Sequence, residues 1–379
     1  MEISFDDIRP YNKDEFGQAF DEIFKEKAIM ELAKVLVPHI PFAQLEQAFK
    51  EVESASEFQK KFVVPFLGEL EATKTEGITD TNIDSFERGS LLISNHRDII
   101  MDSAFIDFVL FRAGNDSVEI GIGDNLLVKP WIKHLVRINK SFIVKRNLPA
   151  REMPKRFLQL SAYIRYAITA KQNSVWIAQR EGRAKDSNDV TQESLLKMFA
   201  LSGTGSFIEN LKELRICPVT LSYEYDPCDY LKAKEFQQQR DDPNYNKTPQ
   251  DDIISMGVGV MGYKGHININ FCPCINSDLD VIASHTPGRK DQITATAQLI
   301  DNKIHHNYKI YPINKIAYDE LLGTSEYGND VTPEEQKTVH DYLEGQLQKI
   351  DLPQKDQSFL RLKLLEMYAN PLINYLKTL

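Results

Sequence analysis

Residues 91–102 read LLISNHRDIIMD: an apolar run breaks before Asn95, presents His96, and resumes as an apolar helical pattern with Asp98 and Asp102. The pattern predicts a strand that passes through a turn into a helix. A carboxylate bonded to one ring nitrogen of a histidine fixes its tautomer, so such a pair suits proton abstraction from a hydroxyl. The same residues also suit a plain helix N-terminus capped by Asn95 or Asp98, with His96 incidental.

Short β-like runs alternate with helical patterns on either side of this turn. The predicted strands are 90–94, 118–122, 141–144, 174–178, 215–223 and 265–271. Strands separated by helices predict an α/β fold with a mixed, largely parallel sheet flanked by helices. We expect three parts: a helical N-terminal accessory region (1–85), an α/β domain (86–325) and a C-terminal helical extension (326–379). Residues 71–88 and 235–252 are polar and are expected to be loops.

His96, Arg146 and Glu181 each come just after a predicted strand. Parallel strands end at one edge of a sheet, and ligands of open α/β sheets collect at that edge. One site could therefore contain all three side chains.

The composition excludes several classes of protein. No stretch approaches the roughly 18–20 apolar residues that a membrane-spanning helix needs, and the first residues, MEISFDD, lack the basic and apolar parts of a secretion signal. The four cysteines form no Cys-x-x-Cys pair, and the histidines share no metal-ligand spacing, so we expect no metal site. These features are typical of a cytoplasmic protein, which could contact a membrane only from its surface.

Charge is distributed unevenly along the chain. The net charge is −10, which argues against nucleic acid as a partner, but residues 129–185 contain fourteen Lys and Arg against two acids, a local balance of +12. Such a segment favours an anionic partner: a phosphorylated substrate, a phosphopantetheine carrier or anionic headgroups. Part of it, notably Arg151, Lys155, Arg156 and Arg165, also fits a solvated helix face.

Four segments in order resemble the motifs of the glycerolipid acyltransferases, over roughly residues 89–320. HRDIIMD (96–102) takes the place of the family's His-x4-Asp signature, and GDNLL (123–127) with KSFIVKR (140–146) is similar to the second motif, whose arginine holds the acceptor phosphate. EGR (181–183) resembles the third motif, and ICPVTLSYE (216–224) the fourth. The ending of the fourth motif and the strand KGHININF (264–271) look most like the glycerol-3-phosphate acyltransferase branch.

The chain departs from this family in two places. Five residues separate His96 from Asp102, so Met101 stands where the family has its aspartate. Either the turn holds one extra residue and Asp102 supports His96, which we favour, or Asp98 does. The third motif is compressed, so Arg183 could be offset, with Lys185 sharing its role.

The resemblance implies acyl transfer from acyl-CoA or acyl-carrier protein to a hydroxyl of glycerol 3-phosphate or a related phosphorylated acceptor, with no cofactor and no covalent acyl-enzyme. His96 would be the base, supported by Asp102 or Asp98. The phosphate would be bound by the four cations Lys145, Arg146, Arg183 and Lys185, and the acceptor positioned by Arg97, Glu181 and Gly182.

Other readings remain open at this point. The acceptor could be lysophosphatidate, dihydroxyacetone phosphate or an acylated amino acid. Met101 could instead mark an inactive, peripheral membrane-binding protein with the same fold. The lipid substrates and products of an active enzyme imply peripheral contact with an anionic membrane surface through residues 129–165, with Trp131 as an apolar neighbour.

Overall fold

The computed structural model describes residues 3–27, 31, 40–146 and 148–379. The strands of this part of the chain are β1 (Ile78–Thr81), β2 (Leu91–Ser94), β3 (Glu119–Gly123), β4 (Ser141–Val144), β5 (Val175–Ala178), β6 (Ile216–Tyr223) and β7 (Ile267–Phe271). All but β1 arise from the short apolar runs that the sequence pattern predicts, and they differ from the prediction by at most two residues at an end.

Helices occupy most of the remaining described residues. They are α1 (Lys13–Phe24), α2 (Phe42–Lys50), α3 (Ala55–Phe58), α4 (Val64–Lys74), α5 (Met101–Arg112), α6 (Pro130–Ile138), α7 (Met153–Thr169), α8 (Glu193–Phe199), α9 (Phe207–Lys212), α10 (Asp229–Asp241), α11 (Pro249–Met261), α12 (Asn276–His285), α13 (Arg289–His306), α14 (Pro312–Leu322), α15 (Pro333–Gln348) and α16 (Gln357–Leu376).

The strands form one sheet in the order β1-β7-β6-β2-β5-β3-β4. Neighbouring strands are parallel except for β6 and β7, which are antiparallel. The predicted α/β class with a mixed, largely parallel sheet is therefore confirmed. The central strand β2 aligns its last residue, Ser94, with Ala178, the last residue of β5, and with Val219 of β6. The three strands run in the same direction, and β6 continues four residues further, to Tyr223.

The strands are apolar throughout because helices cover both faces of the sheet. In β2, Leu91 and Ile93 belong to a buried cluster with residues of α7 and α13. Leu92 belongs to a second cluster on the opposite face, with residues of α5 such as Phe105. This packing fixes where β2 ends, and with it the turn that follows.

Two loop predictions are wrong. Within residues 71–88, β1 pairs with β7 and aligns Ile78 with Ile267. β1 therefore belongs to the same sheet as the later strands. Residues 235–252 contain most of α10 and the start of α11. The polar α10 was missed because it buries charged and amide side chains, Lys232, Glu235 and Gln237, instead of an apolar stripe.

Most of the described residues between Lys13 and Lys74 are helical, whereas residues 78–81 form β1. Phe16, Phe20 and Ile23 recur at helical spacing and form the buried face of α1, where they pack with Phe58 and with Ile138 of α6. Pro41 immediately precedes α2 and begins it. Within the described ranges, no helix combines the length and apolar composition needed to cross a bilayer.

Candidate active site

The turn after β2 is tied to the neighbouring strand by a buried amide. Asn95 Nδ2 donates to Leu221 O at 2.9 Å, and Leu221 N donates to Asn95 Oδ1 at 2.8 Å. The side chain thus replaces a backbone neighbour of β6 at the point where β2 stops. His96 follows from this fixed position.

Asp98 caps helix α5. Its Oδ1 accepts hydrogen bonds from the backbone N–H groups of Ile100 and Met101, both at 2.9 Å. The side chain is buried, and this burial, followed by the nearby charge of Asp102, raises its pKa. Asp98 therefore occupies the position that the helix-cap interpretation gives it.

Asp102, one residue into α5, contacts the histidine. Its Oδ2 lies 2.8 Å from His96 Nδ1 and also accepts from the backbone N–H groups of Arg97 (2.7 Å) and Asp98 (3.1 Å). Its Oδ1 accepts from the Tyr223 hydroxyl at 3.0 Å. The structure places Asp102, not Asp98, at the ring, because the helix begins at Met101 and turns that apolar side chain into the core.

These contacts determine the tautomer of His96. Burial raises the pKa of Tyr223 well above its ordinary value, so Tyr223 remains a donor to Asp102. A carboxylate can only accept, so His96 Nδ1 carries a proton and the neutral ring has its lone pair on Nε2. In the described part of the chain Nε2 has no hydrogen-bond partner. The ring meets Trp176 edge-on at 6.1 Å, and the side chain is 15% exposed.

Arg146 follows β4 at the same edge of the sheet. Its guanidinium lies over Gly123 at the end of β3, where a Cβ would be 2.8 Å from Arg146 Nε. Arg146 Nη1 is 3.4 Å from Glu181 Oε1. The predicted partners Arg146 and Glu181 are thus brought together from two strand ends.

Residues 180–191, which follow β5, form a closed loop that we call the cation loop. Its ends meet where Gln192 N donates to Gln179 O at 2.9 Å and Glu181 N donates to Gln192 Oε1 at 2.8 Å. Gly182 takes a φ of +69°, a left-handed conformation that favours glycine and turns the chain between Glu181 and Arg183.

Arg183 of the cation loop has a free donor. Its Nη1 is buried and makes no hydrogen bond to the described residues. Its charge opposes the rise in the pKa of Asp98, which places the guanidinium near the turn that carries His96. An unpaired guanidinium N–H is well suited to an anionic oxygen of a ligand.

The other two predicted phosphate-binding cations are paired with acids. Lys145 Nζ lies 2.5 Å from Asp7 Oδ2, and Lys185 Nζ lies 2.5 Å from Glu235 Oε1. Their predicted role remains a prediction, but either lysine would have to leave its carboxylate to bind a phosphate.

Arg97 points into a buried polar cluster instead of into the open site. Its Nη1 donates to Ser187 Oγ, and its Nη2 lies 3.3 Å from Asp226 Oδ2. Lys232 Nζ contacts the same Asp226 oxygen at 2.5 Å and donates to Arg97 O at 3.0 Å. Burial alone would raise the pKa of Asp226, but Lys232 and Arg97 hold it below its usual value. Arg97 therefore links the His96 turn to the cation loop.

Asp189 is a further buried carboxylate near the site, and sequence analysis missed it. Neither of its oxygens has a hydrogen-bond partner within the described ranges. Burial raises its pKa to about 6, against the opposing charges of Arg97 and His96. Both amide atoms of the buried Gln179 are likewise unpartnered. No sequence signal marks either residue, because each follows from packing rather than from a motif.

The C-terminal helix α16 supports the cation loop. Asn370 Nδ2 donates to Asp186 O at 2.8 Å, and Asn374 Nδ2 donates to Asn188 Oδ1 at 3.1 Å. The Tyr368 hydroxyl accepts from Asp226 N at 3.0 Å, next to the Arg97 cluster. The expected C-terminal extension thus helps to hold the site together.

Several cations of the basic segment have partners within the protein. Arg137 is buried and donates to the carbonyl oxygens of Arg9 and Asp6. Further ion pairs join Lys140 to Asp116, Arg156 to Asp7, Arg165 to Glu213 and Lys171 to Glu119. The local charge of +12 is therefore not a free basic surface. Nor do the described residues contain a group of three or more His, Cys, Asp or Glu that could hold a metal ion.

Comparisons with known proteins find a similarity among solved structures only. No protein-family model matches the chain, and no curated protein matches it. Among solved structures, the 1-acyl-sn-glycerophosphate (LPA) acyltransferase from Thermotoga maritima is similar over 78% of this chain and 98% of its own, with 8% sequence identity and a TM-score of 0.34. A TM-score this low carries no inference about activity, so the chemistry has to follow from the residues themselves.

Proposed function

We propose that this protein is an acyltransferase that moves a fatty acyl group from acyl-CoA or acyl-carrier protein to a hydroxyl of glycerol 3-phosphate or a related phosphorylated acceptor. One observation carries the proposal: His96 Nδ1 is held by Asp102 at 2.8 Å while Nε2 is free, close to a cation loop whose Arg183 Nη1 has no partner in the described chain. A base and an anion-binding group thus lie at one sheet edge.

His96 acts as the general base. Nε2 takes the proton of the acceptor hydroxyl while the hydroxyl oxygen bonds to the thioester carbonyl carbon. The carbon–sulfur bond then breaks, and the departing thiolate takes the proton back from Nε2. Asp102 stabilises the imidazolium that exists between these two transfers, and its two backbone donors and Tyr223 keep the carboxylate in place.

The arginines bind the acceptor's phosphate. Arg183 offers the unpartnered Nη1, and Arg146 is only loosely held, at 3.4 Å from the exposed Glu181. Bidentate contacts to a phosphate would fix the acceptor so that its hydroxyl is near Nε2, and such positioning is a major part of bimolecular catalysis. An acceptor without an anionic group would make no use of these two arginines.

The test is thiol release from palmitoyl-CoA or palmitoyl-acyl-carrier protein, measured with and without glycerol 3-phosphate, dihydroxyacetone phosphate or lysophosphatidate. We expect release that depends on a phosphorylated acceptor and is abolished in His96→Ala. His340→Ala is the matched control, because His340 lies on the surface against Glu320 and should keep the wild-type rate. Absence of turnover with every acceptor and both donors would contradict the proposal and favour an inactive membrane-binding protein.

We also propose a peripheral contact with anionic membranes, through a smaller patch than the sequence suggests. Arg137 is buried, whereas Lys129 and Lys133 are exposed beside the half-buried Trp131. Charge reversal of Lys129 and Lys133 should weaken sedimentation with phosphatidylserine vesicles. Unchanged sedimentation would count against the contact.

A further inference from the structure

Helix α11 packs its backbone directly against the site. A Cβ at Gly259 would lie 2.0 Å from Asp98 Oδ2, so only glycine allows this approach. Cys228 Sγ donates to Ser255 O at 3.2 Å one turn earlier. The helix thus lies over the turn that carries His96 and the segment that carries Asp226 and Cys228.

The helix is held by few apolar contacts. Of its thirteen residues, only Ser255 and Gly259 are buried. Large apolar side chains are exposed instead: Ile253 is 38% exposed, Ile254 44% and Met261 46%. Because buried apolar area is the main source of packing free energy, such a helix can separate from the protein at low cost.

The contacts at the two ends of α11 are local. At the N-terminus, Thr248 and Asp251 form a capping box, and Lys247 pairs with Asp252 at 2.5 Å. At the C-terminus, Lys264 Nζ donates to Val260 O at 3.2 Å and Gly262 O at 2.7 Å. These contacts stabilise the helix itself, and its middle is held to the rest of the protein mainly by the Cys228–Ser255 contact and by Val260.

Access to His96 is restricted in this arrangement. The side chains of Asp98 and Asp102 are buried and the ring of His96 is 15% exposed, yet a thioester and a hydroxyl must both reach Nε2. Residues 253–263 contain no charged side chain, which suits contact with a hydrocarbon chain and not with a phosphate. Val260 already packs against the apolar cluster beneath the sheet edge.

We propose that α11 is a lid that lifts from Asp98 and binds the fatty acyl chain of the thioester between its apolar side chains and the sheet edge. This rests on the function proposed above. Gly259 and Ser255 mark the closed position. When the helix lifts, the acyl chain takes the place of the helix backbone over Asp98, and the thioester carbon comes within reach of His96.

A disulfide can hold the lid closed. Ser255→Cys is chosen to supply the second thiol, because the sulfur of the native Cys228 lies 3.2 Å from the backbone oxygen of residue 255. Binding of palmitoyl-CoA is measured calorimetrically, and thiol release is measured in parallel, for the oxidised and reduced variant. Cys228→Ala/Ser255→Cys is the matched control, because it carries the new cysteine but cannot form this bond.

We expect the oxidised variant to bind palmitoyl-CoA at least tenfold more weakly than its reduced form, and the control to bind equally in both conditions. Equal binding and equal turnover of the oxidised and reduced variant would overturn the lid, while turnover itself would still support the acyltransferase. Weaker binding in the oxidised form, together with no turnover by wild type, would support the lid and contradict the activity.

Gly259→Ala gives a second, independent measurement that does not depend on disulfide formation. Its Cβ forces α11 away from Asp98, so the lid should open more readily. We expect a several-fold gain in palmitoyl-CoA affinity, whereas simple destabilisation would lower the melting temperature without that gain. Affinity equal to or below that of wild type would overturn the lid.

Discussion

Two buried carboxylates near His96 have opposite surroundings. Asp102, in the turn after β2, accepts from the His96 ring, two backbone N–H groups and the Tyr223 hydroxyl. Asp189, in the cation loop, has no hydrogen-bond partner in the described chain. The turn is therefore organised by the fold alone, before any ligand arrives.

The cation loop, by contrast, keeps buried polar groups that have no partner in the described chain. Arg183 Nη1 and the amide of Gln179 are unpartnered in the same region as Asp189. An unsatisfied buried polar group typically costs about 1–3 kcal/mol. Such groups are retained where a ligand or an ordered water completes them. Under the function proposed above, the turn would orient the base and the cation loop would receive the substrate.

The largest expected effect comes from disrupting the hydrogen bonds between Asp102 and the His96 turn. Asp102→Asn should lower kcat/KM by a factor of about 10²–10⁴, because an amide no longer fixes the tautomer and charge that general-base catalysis needs. Asp98→Asn is the comparison: its oxygen can still accept from Ile100 and Met101, so activity should stay within about tenfold of wild type. Steady-state kinetics measure both, and an equal loss in the two variants would contradict the assignment of Asp102.

The next largest effect is on the KM for the acceptor and concerns the arginines proposed to bind its phosphate. Arg183→Gln and Arg146→Gln should each raise KM for the phosphorylated acceptor by about ten- to a hundredfold, since a charge-assisted hydrogen bond contributes roughly 1.5–3 kcal/mol. Lys145→Gln should change KM little, because Lys145 is already paired with Asp7. Acceptor and donor KM are measured separately; an increase confined to the donor would place the thioester, not the phosphate, at the arginines.

The smallest effect is on stability and concerns Asp189. Its folded-state pKa of about 6 lies above the usual 3.8, so the folded protein favours the protonated carboxyl. The resulting contribution to stability is fully present below about pH 4 and is lost as the pH rises through about 6. Asp189→Asn cannot ionise, so its stability relative to wild type should improve by about 1–2 kcal/mol between pH 4.5 and 8. Urea unfolding at both pH values measures this, and a pH-independent difference would argue against a carboxyl that is protonated in the fold.

Much of the site is predictable because its main residues stand at strand ends. Apolar runs of the right length identified β2, β4 and β5, and the polar residues that follow them, His96, Arg146 and Glu181, do lie at one edge of the sheet. Asp226, Lys232 and Tyr223 were not predicted as site residues. They reach the turn from β6, from α10 and from the loop between them, and nothing in their local sequence indicates a contact more than 120 residues away.

Helix α11 shows a further limit of sequence patterns. Its glycines and its polar start hide a helical repeat, because the face that packs on the protein is a serine and a glycine instead of an apolar stripe. A search for amphipathic periodicity has no signal to find in such a helix.

The sequence by itself determined the α/β class, the ends of the central strands and the position of His96 in a strand-to-helix turn, because these depend on local periodicity and capping. Only the tertiary structure decided that Asp102 supports His96, that Lys145 and Lys185 are paired with acids, and that Arg183 keeps a free donor. The physical reason is that a side chain's hydrogen bonds and charge partners are set by distances across the fold, and residues far apart in sequence carry no local mark of their contact.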